Sequence, residues 1–227
     1  LNSGDDIDLD ALMERYSDLA AKVTPSELVY TRKKNTYPEL HIHFLLDSSL
    51  STDSWIDGKR ILDVEKEALV IFCEALDILH IPFSMSAFSS RTRNHCKYFM
   101  IKNPKEQWVP SANRLGAIEP NRYTRIGPAL RHTATILKNI SCAKKWVILL
   151  TDAKPNDYDT YEGKYGIEDV HKAIQEMRRD RILLHTLAIG KDDHPLIPEM
   201  MREASYQLLS HPSKLLNSLE KFFQRAI

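Results

Sequence analysis

The chain has 227 residues, 43% of them hydrophobic, enough to bury a full core as one large domain. Lysine plus arginine balances aspartate plus glutamate at 31 each, so no global field draws the protein to nucleic acid or to an anionic membrane, and partner contacts must be local. Cys73, Cys96 and Cys142 form no C-x-x-C pair, and neither a signal peptide nor a long apolar span is present, a usage that fits a reducing cytoplasm without membrane insertion.

The chain opens on Leu1-Asn2-Ser3 rather than Met, which suggests a domain cut from a longer protein. Leu9, Leu12, Tyr16, Leu19 and Ala20 keep helical spacing, so residues 8–22 predict a leading helix and 1–27 a leading segment, with the main domain at 28–227. A short strand follows at 28–32 and a buried-type strand at 40–46. A helix over 62–79 would bury Val64, Ala68, Ile71, Phe72, Ala75, Leu76 and Leu79 as one stripe. Strands at 83–88 and 97–101, joined by the polar stretch 89–94, read as a hairpin. Residues 104–118 hold a short helix and 128–138 a full one. The apolar run 144–152 is a second buried-type strand, followed by a helix at 167–178, strands at 183–189 and 206–209, and a closing helix at 213–226. Strands alternating with helices at this rhythm predict a doubly wound α/β fold, a mostly parallel sheet flanked by helices.

Asp47-Ser48-Ser49-Leu50-Ser51 follows directly on the first buried-type strand. In an extended segment Asp47, Ser49 and Ser51 point the same way and converge on one point. The second buried-type strand ends in Thr151-Asp152, and parallel sheets bind ligands outside the carboxyl ends of their strands, where both acids would face one crevice. A hard divalent cation fits such oxygens best. His41 and His43 share one strand face but precede the crevice and lack a third partner, so packed or hydrogen-bonded histidines are expected there. The acids Asp157, Asp159, Glu162, Glu168 and Asp169 lack EF-hand spacing and read as a contact loop or as caps of the following helix.

Asp-x-Ser-x-Ser, a distant Thr124 and Thr151-Asp152 together resemble the metal-ion-dependent adhesion site of von Willebrand factor A domains, whose fold is Rossmann-like. The resemblance implies Ser49, Ser51 and Thr124 as ligands of Mg²⁺ or Mn²⁺, with Asp47 and Asp152 acting directly or through water. Mg²⁺ keeps several waters, so such a site leaves a position for a partner's carboxylate. The stretches 61–68, Phe88-Ser89-Ser90-Arg91, 123–127 and 154–169 resemble the C-terminal domain of the nitric oxide reductase activation protein D (NorD) and CbbO family. Ala153 departs from it, standing where the family has Gly after Thr-Asp.

That resemblance implies no enzyme but an adaptor for a hexameric MoxR-type AAA+ ATPase, holding a client enzyme, Rubisco or nitric oxide reductase, by an acidic residue at the metal. The chain has no G-x-x-x-x-G-K-[ST] loop of its own. Arg91, Arg93, Arg122 and Arg125 flank the predicted crevice as candidates for steering an acidic partner. Two alternatives remain: a chelatase-type subunit with the same domain, and a Mg²⁺-dependent phosphatase. The latter needs a second acid two residues after its nucleophile, where this chain has Ser49.

Overall fold

The structure is a computed structural model that describes residues 6–26, 28–31, 40–56, 58–152, 161, 163–189 and 196–226. Two compact units meet in sequence between positions 37 and 38. The first holds strand β1 (Asp6–Ile7), helix α1 (Leu9–Ala20) and strand β2 (Tyr30–Thr31). The Asp8 carboxylate caps α1 by accepting from the amides of Asp10 and Ala11. Because β2 pairs antiparallel with β1, residues 28–31 belong with the leading helix, and the boundary falls later than the expected 27/28.

The second unit is built on β3 (Leu40–Asp47), buried along its whole length as a strand covered on both faces is, with His41, His43 and Asp47 among its apolar residues. A 3₁₀ turn (Leu50–Asp53) and the small hairpin β4 (Trp55–Ile56) and β5 (Lys59–Arg60) lead into α2 (Ile61–Ile78). Then come β6 (Phe83–Thr92), β7 (His95–Lys102), α3 (Trp108–Gly116), α4 (Ile126–Lys138), β8 (Lys144–Thr151), α5 (Gly163–Arg179), β9 (Ile182–Ile189), α6 (Leu196–Met200), β10 (Ser205–Leu209) and α7 (Leu215–Ala226). The main sheet runs β10-β9-β8-β3-β6-β7, parallel throughout except for β7, which returns antiparallel along β6. Phe44, Leu46 and Ile148 pack with α2, α3 and α7 on one face, and Leu45, Val147 and Leu149 pack with α4, α5 and α6 on the other. The chain leaves β3 towards β6 and later returns to the opposite side of β3 to lay down β8. The C-terminal ends of β3 and β8 therefore flank the point where the winding reverses, the place such sheets offer to ligands.

Two local expectations change. The buried face of α2 is Leu62, Glu65, Ala68, Leu69, Phe72, Cys73 and Leu76, whereas Ile71, Ala75 and Leu79 face solvent and Val64 is half-buried. An acid at position 65 reads as solvent-facing, and leaving it out rotates the apparent stripe. The polar stretch 89–94 is mostly strand: β6 continues to Thr92, and Arg93-Asn94 alone make the turn.

Candidate metal centre

Asp47 is the last residue of β3, level with Phe88 on β6, and is fully buried. Its Oδ1 accepts from the Ser49 amide at 2.9 Å and from Thr124 Oγ1 at 3.0 Å. Its Oδ2 accepts from Thr124 Oγ1 at 3.1 Å and from Thr151 Oγ1 at 2.7 Å. One carboxylate thus gathers β3, the loop before α4 and the end of β8. Asp152 follows Thr151 and is nearly buried. Burial first, then the Asp152 charge, raises the Asp47 pKa from 3.8 to about 6 against the lowering effect of hydrogen bonds from Thr151 and Ser49.

Ser51 reaches the site by a route other than an extended strand. Ser49 is extended, with φ −72° and ψ 165°, and Leu50 to Asp53 then turn as a 3₁₀ helix, fixed by Thr52 Oγ1 donating to the Ser49 carbonyl at 2.7 Å. The turn brings Ser49 Oγ and Ser51 Oγ to 2.8 Å from each other. Thr124, 77 positions from Asp47 in sequence, is held by main-chain bonds. The Asn121 amide donates to the Ser48 carbonyl, the Leu50 amide donates to the Arg122 carbonyl, and Ser90 and Tyr123 exchange both of their bonds. Ser48 ties the loop to β6 in turn, its amide and hydroxyl both donating to the Phe88 carbonyl.

The structure therefore brings Asp47, Ser49, Thr124 and Thr151 into one hydrogen-bonded cluster, with Ser51 bonded to Ser49 and Asp152 acting on Asp47 by its charge. Among the described residues no three acids, histidines or cysteines form a metal-holding group. The donors are two carboxylates and a set of hydroxyls, chemistry that suits a hard cation retaining part of its water.

Glu65 is the residue that sequence reasoning missed. It sits in the second turn of α2, fully buried, and neither carboxylate oxygen has a hydrogen-bond partner among the described residues. Burial, followed by the charges of Asp47 and Asp152, pushes its pKa well above the ordinary value for a glutamate. A buried carboxyl without protein donors, within electrostatic reach of both acids, fits a neighbouring cation and its waters. The available signal was its place on the helix: Leu62, Glu65, Leu69, Phe72 and Leu76 keep one face at helical spacing.

The histidines are structural. His41 Nε2 and His43 Nδ1 each lie 2.8 Å from Ser84 Oγ, and His43 Nε2 lies 3.2 Å from the Tyr98 hydroxyl. Burial, then Lys102 and Lys145, lowers the His41 pKa to about 4, and burial, then His41, lowers that of His43 to about 3. Both are neutral.

Of the four arginines, Arg91 and Arg93 are exposed on the β6–β7 hairpin and Arg122 is half-buried. Arg125 leaves the expected rim: it is buried, with its guanidinium 4.2 Å from the Tyr161 ring centre. The Tyr161 hydroxyl donates to Asp169 Oδ2 at 2.6 Å, and Arg131 holds Asp169 Oδ1 at 2.8 Å and Glu176 at 2.6 Å. Asp169 thus serves as a structural acid linking α4 and α5. Ala153, Asp157, Asp159 and Glu162 lie outside the described residues.

Acids and hydroxyls delivered to the switch point of a parallel sheet define a class, and comparison with known proteins agrees. The profile of the von Willebrand factor type A domain matches residues 41–225, and the chain belongs to that family. More particularly, it is similar to Protein NorD of Brucella melitensis biotype 1, 34% identical over 222 residues, and to Protein NorD of Stutzerimonas stutzeri, 30% identical over 213 residues. These matches take in 97% and 93% of this chain but 35% of each relative, so the chain spans about a third of their length. Among solved structures, a von Willebrand factor type A protein from Catenulispora acidiphila shares the fold with a TM-score of 0.57 at 20% identity, over 84% of this chain and 43% of that one. The pilus adhesin SpaC of Lactobacillus rhamnosus GG does so with a TM-score of 0.66 at 16% identity, over 86% of this chain and 31% of that one. Among the described residues no helix is long and apolar enough to cross a membrane.

Proposed function

We propose that this domain is a metal-dependent protein-binding module of a NorD-type adaptor, which grips a client enzyme through a client carboxylate while a MoxR-type AAA+ ATPase does the work. The observation that carries the reading is the hydroxyl and carboxylate cluster around Asp47, in a chain about a third identical to NorD proteins over nearly its whole length. Asp47, Asp152, Ser49, Ser51 and Thr124 are the groups that would hold Mg²⁺ or Mn²⁺. Such a cation, when bound, supplies strong and directional attraction for one more oxygen anion. Asp47 orients the hydroxyls of Thr124 and Thr151, and the 3₁₀ turn keeps Ser51 against Ser49, so the donors are set before any partner arrives. The module itself performs no covalent step. Ser49 stands where a phosphatase of the aspartyl type needs its second acid, and a serine hydroxyl does not serve there as the acid for a leaving oxygen.

The test uses the full adaptor with its ATPase and client. Ser49→Ala, Thr124→Ala and Asp152→Ala should each abolish client remodelling while assembly with the ATPase persists, and a client Glu→Gln at the contact should reproduce the loss. Simultaneous loss of ATPase assembly and client binding would mean that the crevice faces the motor. Phosphatase turnover with Mg²⁺ would overturn the reading altogether.

A further inference from the structure

Beside the metal cluster lies a second, differently charged pocket of about 150 Å³, lined by Ser89, Ser90, Arg91, His95, Lys97 and Arg122. Its two serines are 1% exposed, and the hydroxyl of each is buried without a hydrogen-bond partner among the described residues. Side chains alternate along the strand, so only that of Ser89 shares a sheet face with Lys97; buried hydroxyls are nearly always satisfied, and this idle one points to a ligand acceptor. Three permanent cations line the same pocket and no acid does; among the described residues no carboxylate pairs with Arg91, Lys97 or Arg122.

The strand geometry builds this arrangement. Ser89 lies opposite Lys97 across the β6–β7 ladder, which puts the hydroxyl and the ammonium in neighbouring positions. The ladder slips between Ser90 and Thr92, so Arg91 occupies an irregular position of the kind that re-aims a side chain. Arg122 adopts φ +61°, a left-handed conformation uncommon for any residue but glycine. The exchanged bonds between Ser90 and Tyr123 and the Leu50 amide on the Arg122 carbonyl hold that backbone in place.

We propose that this pocket binds an oxyanion and that its occupant is a carboxylate side chain of the protein partner. The Ser89 hydroxyl at the back and guanidinium and ammonium groups in front match a carboxylate, and the volume is that of about five waters, room for such a group with some hydration. Arg122 stands two residues from Thr124, so one acidic segment can place one carboxylate here and another at the metal cluster. The choice of a protein carboxylate rests on the function proposed above; the anion pocket itself does not.

The experiment is therefore run in chelator, where failure of the metal reading has no effect. Amide shifts of the intact 227-residue chain are followed by NMR during titration with sodium acetate and, separately, with inorganic phosphate. Saturable shifts at Ser89, Ser90 and Arg122 are expected with acetate. Lys97→Ala and Arg91→Ala should weaken acetate binding about tenfold each. Ser89→Ala should weaken it severalfold with no change of net charge, which diffuse attraction to a basic surface does not predict. Saturation by acetate supports the proposal whatever phosphate does. Saturation by phosphate alone overturns the carboxylate assignment. Absence of saturation by either anion up to about 0.1 M, or equal binding by all three variants, overturns the pocket.

Discussion

Asp47→Asn should make the metal-free domain more stable, although it removes the residue around which the site is organised. Asp47 is an acid whose folded pKa, about 6, lies above its ordinary 3.8, so keeping it ionised in the fold costs about 3 kcal/mol once the pH is above 6. The sign follows from the direction of the shift: the penalty is absent below pH 3.8, grows through the interval to about 6, and is complete above it. Asparagine is nearly isosteric and carries no charge. Its oxygen can still accept from the Ser49 amide and from Thr124, while the new amide group requires the Thr151 hydroxyl, now a donor at 2.7 Å, to turn and accept. Setting about 1 kcal/mol against that rearrangement leaves a net gain of about 2 kcal/mol, or about 4–8 °C in melting temperature for a domain of this size. Thermal melts at pH 7.5 in chelator measure it. The gain should vanish near pH 4.5, where the parent carries only about a third of the penalty. Saturating Mg²⁺ should raise the parent's melting temperature and leave the variant unmoved. An asparagine variant that melts at or below the parent in chelator at pH 7.5 would refute the reasoning, because burial and the Asp152 charge would then not be strained against Asp47.

Three further outcomes follow from the same geometry. Protons should compete with the cation for Asp47, so apparent Mg²⁺ affinity should fall by up to about tenfold per pH unit as the pH drops below 6; equal affinities by calorimetry at pH 5 and pH 7 would contradict this. Glu65→Gln should raise the melting temperature in chelator at pH 7.5, since it removes a buried, unpartnered acid of raised pKa, whereas Glu65→Ala should cost about 2–3 kcal/mol by opening a cavity; a glutamine variant that melts lower would show Glu65 to be satisfied as it stands. Gly127→Ala should cost about 2 kcal/mol in urea unfolding, because the new Cβ would land on the Asp169 carboxylate and disturb its bonds to Tyr161 and Arg131; a loss within about 0.5 kcal/mol would mean that α4 and α5 separate easily.

Much of the fold was legible because its strands are extreme. β3, β8 and β9 are dominated by buried apolar residues, as strands of a sheet covered on both faces are, and the C-terminal ends of β3 and β8 carry the candidate site. The candidate metal ligands were named from a family pattern, whereas their convergence around Asp47 was legible only in part. An extended Asp47-Ser49-Ser51 face was the natural reading, and the 3₁₀ turn that actually brings Ser51 round depends on Thr52 bonding back to Ser49. Arg125 was read as a rim cation because nothing local to Arg125-Ile126-Gly127 signals Tyr161, the ring that covers it. The β4–β5 hairpin did have a signal, the Asp57-Gly58 pair, with Gly58 at φ +77°. Glu65 was missed for a different reason: pattern reading assigns acids to solvent, and this one is buried on the core face of α2.

That exception is not isolated. The buried side-chain atoms without partners among the described residues are both oxygens of Glu65, the hydroxyls of Ser89 and Ser90, and His185 Nε2. All but the last belong to the electrostatic neighbourhood of Asp47 and Asp152 or to the adjoining end of β6. A core selected for stability alone would satisfy or replace such groups, as it does His41 and His43 through Ser84. Through most of the sheet, His185 apart, propensity, apolar pattern and packing agree; around Asp47 the chain keeps unsatisfied donors and unsatisfied acceptors without letting them pair. Acids that repel one another on one side and unanswered hydroxyls and cations on the other call for opposite ligands, a cation at Asp47 and an anion beside Arg122. On the proposed reading, a protein partner that brings acidic side chains would relieve both conditions at once, through a bound cation on one side and directly on the other.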